Sequence, residues 1–273
     1  MNSRKQEIEE KSMRKLVLLM SVLLLSLLVG CSSGEGAEAE AGAKVVKIGA
    51  GPDGYPQYFK EADELKGFSV DVITAIFDEM DYEIEWVLTD WNGILANLES
   101  GKVDTVANFA ATEERAEHYN FSTPYYNSKT VIASGTETQN IQSLDDLSGK
   151  TIANVLGSNY RNVLQENYPD GDYEIVTFES NDVIFTDVAN GKVDAFVSGR
   201  EILLAQINDK GIPLEIVGKP FGDQPVALPF KKTEENDVLI SEINNTIEKL
   251  KENGTLSELS VKWYGVDLLE DEQ

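Results

Sequence analysis

A short run built on Gly-Lys-Val-Asp has an echo in this chain. SGKVDTVAN spans residues 100–108 and NGKVDAFVS spans residues 190–198. Each follows a stretch of helical spacing and leads into a β-rich run that ends in small or polar residues. In each, a Gly stands where a helix would stop. Two such units predict two α/β lobes whose strand ends face one cleft, the place where open α/β sheets hold ligands. The run is short, so a chance recurrence stays open on the sequence alone.

The pattern around each run is consistent with that reading. Residues 45–50 read as a strand and 51–58 as a Gly/Pro loop. Ser69 is placed to cap a helix carrying Val70, Ile73, Phe77 and Met80 at helical period. Residues 82–88 alternate as a strand, and 91–100 read as a helix stopped by Gly101. In the second unit, 151–156 is a strand, and Gly157-Ser158-Asn159 opens a helix to about residue 167. A strand at 173–178, a helix at 182–189 and strands at 212–217 and 226–230 follow. Ile240, Ile243, Ile247 and Leu250 form an apolar stripe on a longer helix, and 256–264 is a last short one. Strand–helix alternation at this spacing predicts an α/β fold with a largely parallel sheet.

Between the first run and Tyr126 lies the stretch with the clearest chemistry. Residues 103–107 form a short strand, Thr112 is an N-cap, and Glu113 and Glu114 occupy the first helical turn. Arg115 can fold back toward the helix mouth. Free N–H groups, a positive dipole end and a guanidinium fork would together hold a small anion, ideally a carboxylate. The same spacing fits a surface helix whose Arg115 pairs with Glu114 or Glu117. His118, the single histidine, reads as a solvated surface residue.

The formal net charge of −25 argues against nucleic acid and anionic membrane surfaces as partners. There is no Gly-rich phosphate loop and no HExxH, CxxC or GxSxG motif, so no cofactor and no metal is expected. The apolar segment 16–29 follows Arg14 and Lys15 and is shorter than the roughly 20 residues of a membrane-spanning helix. It reads as a secretory signal over 1–30, with 1–12 an upstream extension before Met13. Its end, Leu28-Val29-Gly30-Cys31, resembles a bacterial lipobox, in which the Cys is lipidated and becomes the mature N-terminus. Cys31 is the only cysteine, which excludes an intramolecular disulfide. Residues 31–43 are small and acidic and read as a lipidated Cys and its tether.

With these features in place, the chain resembles the amino-acid-binding lipoproteins of bacterial ABC importers, the type 3 solute-binding proteins. The resemblance runs from Val45 to about Asp267. Its carriers are GFSVD (67–71), TDWNGILANLESGKVD (89–104), TxxR (112–115), NFSTPYY (120–126), LGSNY (156–160), GKVDA (191–195) and NGTLSELSVKWYG (253–265). WNG, VAN and GSNY are most similar to the cystine-binding branch. The resemblance implies a periplasmic-binding-protein-like type II fold of two α/β lobes. Lobe 1 would hold 44–128 and 222–273, lobe 2 would hold 129–221, and hinge crossings would lie near 127–129 and 219–224. It implies a substrate-binding lipoprotein, not an enzyme, that captures a small amino acid, cystine or another polar one. The protein would be a monomer, lipid-anchored on the extracytoplasmic face of the cell membrane, that delivers its ligand to ABC permease subunits.

Carried over to this sequence, the resemblance has Arg115 grip the ligand's α-carboxylate. Backbone N–H groups near Ala110 and the Ser158-Asn159 helix mouth would complete the cradle. Tyr55 would stack on the ligand, and Trp91 and Asn108 would line the pocket. Phe109, Thr112, Ser198 and Glu201 would also belong to the site. Two departures stand out. The family has a small hydroxyl or polar residue where this chain has Ala110, and the loop to Arg115 looks one residue short. The family also places an Asp, which accepts the α-ammonium, where this chain has Gly199. Glu201, Asp53 or Asp223 would then substitute, or the ligand is not an ordinary α-amino acid. Rival readings are a cleft dehydratase acting on cyclic carboxylates and a receptor that reports ligand to a membrane sensor.

The leader generates one prediction. Replacing Cys31→Ser should leave an unprocessed precursor or release protein into the medium, scored by fractionation and mass spectrometry of the N-terminus. A processed Cys31→Ser protein retained at the membrane would refute lipidation at this residue.

Overall fold

The computed structural model describes residues 44–137 and 141–269. The leader, Cys31, the tether and residues 138–140 and 270–273 lie outside the described residues.

The first half is built on β1 (Lys44–Ala50), in which Val46, Ile48 and Ala50 are buried in alternation. A small meander follows, β2 (Asp53–Gly54), β3 (Tyr58–Glu61) and β4 (Glu64–Lys66), and only β2 and the first residue of β3 fall in the stretch 51–58 expected to be loop. Helix α1 (Phe68–Glu79) then buries Phe68, Val72, Ile73, Ile76 and Phe77 at helical period. Its N-cap is Gly67 rather than Ser69. The carbonyls of Pro56 and Gln57 accept the first helical N–H groups, from Phe68 and Ser69, so no side-chain cap is needed. Ser69 instead lies inside the helix, fully buried, and its hydroxyl bonds Gln57 at 2.7 Å. Strand β5 (Tyr82–Leu88) and β6 (Thr105–Val106) flank β1 in parallel, with α2 (Trp91–Ser100) between them in sequence. The Asp90 carboxylate caps α2 by accepting the Gly93 N–H at 2.8 Å.

After β7 (Phe109–Ala110), α3 (Glu113–Ala116) and β8 (Tyr119–Phe121), strand β9 (Tyr126–Gly135) leads into the second half. There β10 (Thr151–Val155), α4 (Tyr160–Asn167), β11 (Glu174–Phe178), α5 (Asn181–Ala189), β12 (Ala195–Gly199), α6 (Arg200–Lys210) and β13 (Leu214–Val217) follow in order. Strand β10 takes the central place, parallel to β11 and β12. The chain returns through β14 (Asp223–Ala227) and β15 (Pro229–Lys231) to α7 (Glu234–Glu252) and α8 (Thr255–Tyr264), which pack on α1. The expected single strand at 226–230 is therefore two. Strand β14 pairs with β9 and β7, whereas β15 pairs with β8, and Pro229, lacking an N–H, stands at the break.

The repeated run is one structural device used twice. Gly101 and Gly191 end their helices in the left-handed conformation, at φ 75° and 69°. The N–H groups of Lys102 and Val103 return to Asn97, and those of Lys192 and Val193 to Asp187. Val103 and Val193 are then buried. Asp104 accepts the Lys47 N–H at 2.7 Å and donates its own N–H to the Lys47 carbonyl. Asp194 does the same with Thr151, at 2.8 Å. Each Asp thus clamps the central strand of its half and sets the following strand beside it.

Strand β9 had no counterpart in the sequence reading. It is ten residues long and passes through both halves. Residues 126–129 pair with β14, and 130–134 pair with β12 in the same direction sense, antiparallel. The stretch 127–129, expected to be a hinge crossing, is therefore strand, and the other, 219–224, becomes strand only at its end, the two pairing at Ser128↔Gln224 and Lys129↔Asp223. The sheet is accordingly mixed rather than largely parallel, because β9 runs against β12, β13 and β14.

The clamp can be tested. Burial raises the Asp194 carboxyl, but the Thr151 N–H and hydroxyl and nearby Lys150 outweigh it and hold the group below the usual range. Asp194→Ala removes these bonds and should cost about 1–3 kcal/mol in urea unfolding at pH 7. The difference from wild type should shrink as the pH falls through the native pKa, since a depressed carboxylate stabilises only while ionised.

Candidate functional site

The carboxyl ends of the parallel strands of both halves converge on one cavity of about 120 Å³. The two copies of the repeated run contribute matching residues to it: Asn108 ends the first and Ser198 the second, and both line the cavity. Trp91 from the start of α2, Ser158 and Asn159 from the mouth of α4, and Ala110 and Arg115 complete the expected set found there.

Arg115 comes from α3, which is a single turn of four residues. The Thr112 hydroxyl caps that turn by accepting the Arg115 N–H at 3.2 Å. So short a helix carries little dipole, and the anion site expected from a helix mouth reduces to the guanidinium itself. Its Nη1 donates to the Ala110 carbonyl at 3.0 Å and its Nη2 to the Gly157 carbonyl at 3.1 Å. The plane lies over the Phe109 ring, 4.0 Å from its centroid. Arg115 makes no ion pair among the described residues, so the surface pairing with Glu114 or Glu117 is not formed. Burial pushes its pKa down to about 10, which leaves it charged at neutral pH. It is the only charged side chain lining the cavity among the described residues.

The other side chains are held by buried bonds. Asn108 sits at φ 57°, with its N–H on the Tyr125 hydroxyl and its side-chain carbonyl accepting from the Tyr126 hydroxyl at 2.7 Å. The Gln57 amide donates to that same Tyr126 oxygen at 2.8 Å. Ser158 donates to Asn154 at 2.8 Å, and Asn159 to Gln224 at 3.0 Å. Trp91 Nε1 is buried with no acceptor among the described residues. It is therefore a free donor in the cavity wall.

Several expectations change. Tyr55 does not line this cavity: its ring packs edge-on to Phe59 and its hydroxyl donates to Asp209 at 2.6 Å, across the cleft. Tyr58 takes the wall position instead. Its ring lies where a Cβ on Gly51 or Gly54 would collide with it, so those two glycines make room for it. The signal for this in sequence is the pair of glycines just before an aromatic-rich run. Phe109 is core, 2% exposed, and acts by carrying Arg115. Thr112 acts as a cap. The N–H groups of Ser158 and Ala111 are already bonded, to the carbonyls of Val155 and Pro225. These two N–H groups are therefore taken, and Arg115 and Trp91 offer donors to the cavity beside them. Ser128, Tyr160 and Gln224, unforeseen, also line the cavity; two of them lie on the unread β9–β14 pair.

Glu201 does not line this cavity; it lines a second one of about 370 Å³ together with Tyr55, Lys129 and Tyr264, and is 3% exposed, with Oε1 unpartnered among the described residues. Burial is the main cause that raises its pKa to about 7, against bonds from Ser128 and Lys129 and the charge of Arg200.

Residues 46–266 match the family described as bacterial extracellular solute-binding proteins, family 3. The chain is 38% identical over 257 residues to a protein named probable amino-acid-binding protein YxeM from Bacillus subtilis, covering 94% of this chain and 97% of the relative. It is 30% identical over 259 residues to the L-cystine-binding protein TcyJ of Escherichia coli, with 92% and 96% covered. Among solved structures, an ancestral arginine-binding protein bound to arginine superposes with a TM-score of 0.73 at 29% identity, over 81% of this chain and 98% of that one. These relatives are named as binding proteins rather than enzymes.

The raised pKa of Glu201 has a consequence for stability. Protonation favours the folded state, fully so below the unfolded value of about 4.5 and no longer once the pH passes 7. Between pH 4.5 and 8, Glu201→Gln should therefore gain about 3 kcal/mol on wild type, measured as the difference in urea unfolding free energies at each pH. A constant difference would mean that Glu201 does not titrate in this interval.

Proposed function

The chain belongs to family 3 of the bacterial extracellular solute-binding proteins, and from that premise we propose that it captures a small amino acid for an ABC importer. One observation carries the reading. Arg115 holds a buried, charged guanidinium whose partners are two neutral carbonyls and a ring, in a cavity also lined by Trp91, whose N–H has no acceptor among the described residues. A guanidinium has five N–H donors, and the two carbonyls leave donors for a bidentate carboxylate. A carboxylate placed there would supply the anion that the site lacks.

The same bonds support a closing cleft. Arg115 belongs to the first half and the Gly157 carbonyl to the second; the Tyr55 hydroxyl and carbonyl meet Asp209 and Gln206 of α6 in the same way. In this reading 44–128 with 222–273 forms one lobe and 129–221 the other. A ligand that bridges them favours the closed form, which a membrane permease then receives. The names of the relatives support cystine or another polar amino acid as ligand, and a lipidated Cys31 would keep the protein at the outer face of the membrane. A second reading, a cleft dehydratase, draws on the near-neutral acid Glu201; it requires consumption of ligand.

The first test is a thermal-shift screen of the standard L-amino acids and L-cystine, followed by calorimetric titration with the strongest binder. Arg115→Lys keeps the charge but loses the fork and should weaken binding by at least tenfold. Arg115→Ala should cost on the order of 2–5 kcal/mol, with circular dichroism unchanged. Wild-type affinity in a folded Arg115→Ala protein would refute the assignment, and product seen by mass spectrometry would promote the dehydratase.

A further inference from the structure

The last turn of α6 presents one face to the first half of the chain. Gln206, Asp209 and Lys210 stand at the i, i+3, i+4 spacing that gathers side chains on one side of a helix. All three meet a single residue, Tyr55. The Gln206 amide donates to the Tyr55 carbonyl at 3.1 Å, and the Asp209 carboxylate accepts from the Tyr55 hydroxyl at 2.6 Å. The Lys210 ammonium lies 4.3 Å from the centre of the Tyr55 ring. Tyr55 is thus gripped by backbone, hydroxyl and ring at once. Its own half steadies it as well: the ring packs edge-on to Phe59, which packs edge-on to Trp263 of α8. Neither Tyr55 nor these three partners line the cavity that holds Arg115. Close to the grip, α6 and α8 are separated by the cavity of about 370 Å³, lined from one side by Leu204, Ala205 and Asn208 and from the other by Val261 and Trp263. Dispersion contributes little across such a gap, so the contacts of Tyr55 weigh more in holding the halves together there.

We infer that Tyr55 and the last turn of α6 form a clasp that sets how tightly, and for how long, the closed cleft keeps its ligand, without touching the ligand. The inference rests on the closing cleft proposed above and deepens it. Protein atoms alone make the clasp, so it favours the closed arrangement equally for every ligand. A ligand that fits only the closed cleft binds with the intrinsic affinity of that form multiplied by the fraction of molecules closed. Loosening the clasp lowers that fraction, and with it every affinity by one common factor. The bonds of the clasp exist only once the halves meet, after the ligand has entered. Their loss should therefore speed dissociation and leave association nearly unchanged. The phenol remains a donor across neutral pH, because burial, reinforced by the bond to Asp209, pushes the Tyr55 pKa up to about 12.

The test titrates the full chain calorimetrically with the standard L-amino acids and L-cystine, one at a time, and follows dissociation of each binder by stopped-flow tryptophan fluorescence. Tyr55→Phe removes one oxygen and keeps the ring. It should weaken every binder by the same factor, about two- to tenfold as for one hydrogen bond, through faster dissociation. Asp209→Ala, at an exposed helix position, should give a similar loss. The double variant should lose no more than either single one, because both changes remove the same bond. Gln206→Met cuts the separate bond to the Tyr55 carbonyl and should weaken binding further in the Tyr55→Phe background. Circular dichroism checks that each variant folds, and Asp209→Ala carries the test alone if Tyr55→Phe does not. Wild-type affinity in both single variants would overturn the clasp and leave the proposed function standing. So would a loss confined to some ligands, which would make Tyr55 a ligand contact, or fully additive losses in the double variant. No binding of any of these compounds by the wild type would overturn the proposed function and the clasp together.

Discussion

Each half of this protein depends on an aspartate that grips a backbone it is far from in sequence. Asp104 closes on Lys47, and Asp194 on Thr151, through a side-chain acceptor and a backbone donor together. A strand placed by one such clamp has a fixed register, because a slip of one residue would move every side chain to the other face. That register decides which residues leave the sheet at the cleft. It delivers Asn108 from one half and Ser198 from the other to the same cavity. The recurrence that opened the sequence reading is therefore neither decoration nor coincidence: its Gly, Val and Asp do the same three jobs in both places.

The cleft also stands out electrostatically against a chain of formal net charge −25. Its lining carries a cation with neutral partners, Arg115, and outside that lining lies a buried acid, Glu201, with one oxygen unpartnered among the described residues. Each is costly alone in a place shielded from water. Arg115 keeps donors free for the carboxylate of the small, net-neutral amino acid proposed as ligand. Long-range repulsion by the acidic surface matters less to such a ligand than to an anion, since its net charge is zero.

What the sequence disclosed followed strong local rules. The bounds of α2, the Thr112 cap and the apolar stripe of α7 are all written in spacing, caps and stop signals. What it hid depended on distant partners. Strand β9 carries no turn signal at the point where it passes from β14 to β12, so its ten residues did not read as one element. Helix α3 has a good cap but no room to extend before β8, and no local rule reports that. The exchange of Tyr58 for Tyr55 in the wall turns on space left by Gly51 and Gly54. Glu201 was one of three acids that could answer for Gly199, and only the fold shows its oxygen beside the vacant Cβ position.

The pairing of β9 with β14 has a mechanical meaning. The two halves are joined by adjacent antiparallel strands cross-linked at 126–129 and 223–226, not by two independent loops. Such a pair behaves as a short twisted ribbon, stiff to shear and soft to bending about one axis. In a ribbon of β-strands curvature and twist are coupled. Displacement of one half against the other, as the proposed closure requires, would bend and twist this pair together. Gln224 and Ser128, which sit on the ribbon and also line the cavity, ride on the flexing element itself. Strain in the ribbon and the shape of the cavity wall are thus two readings of the same coordinate.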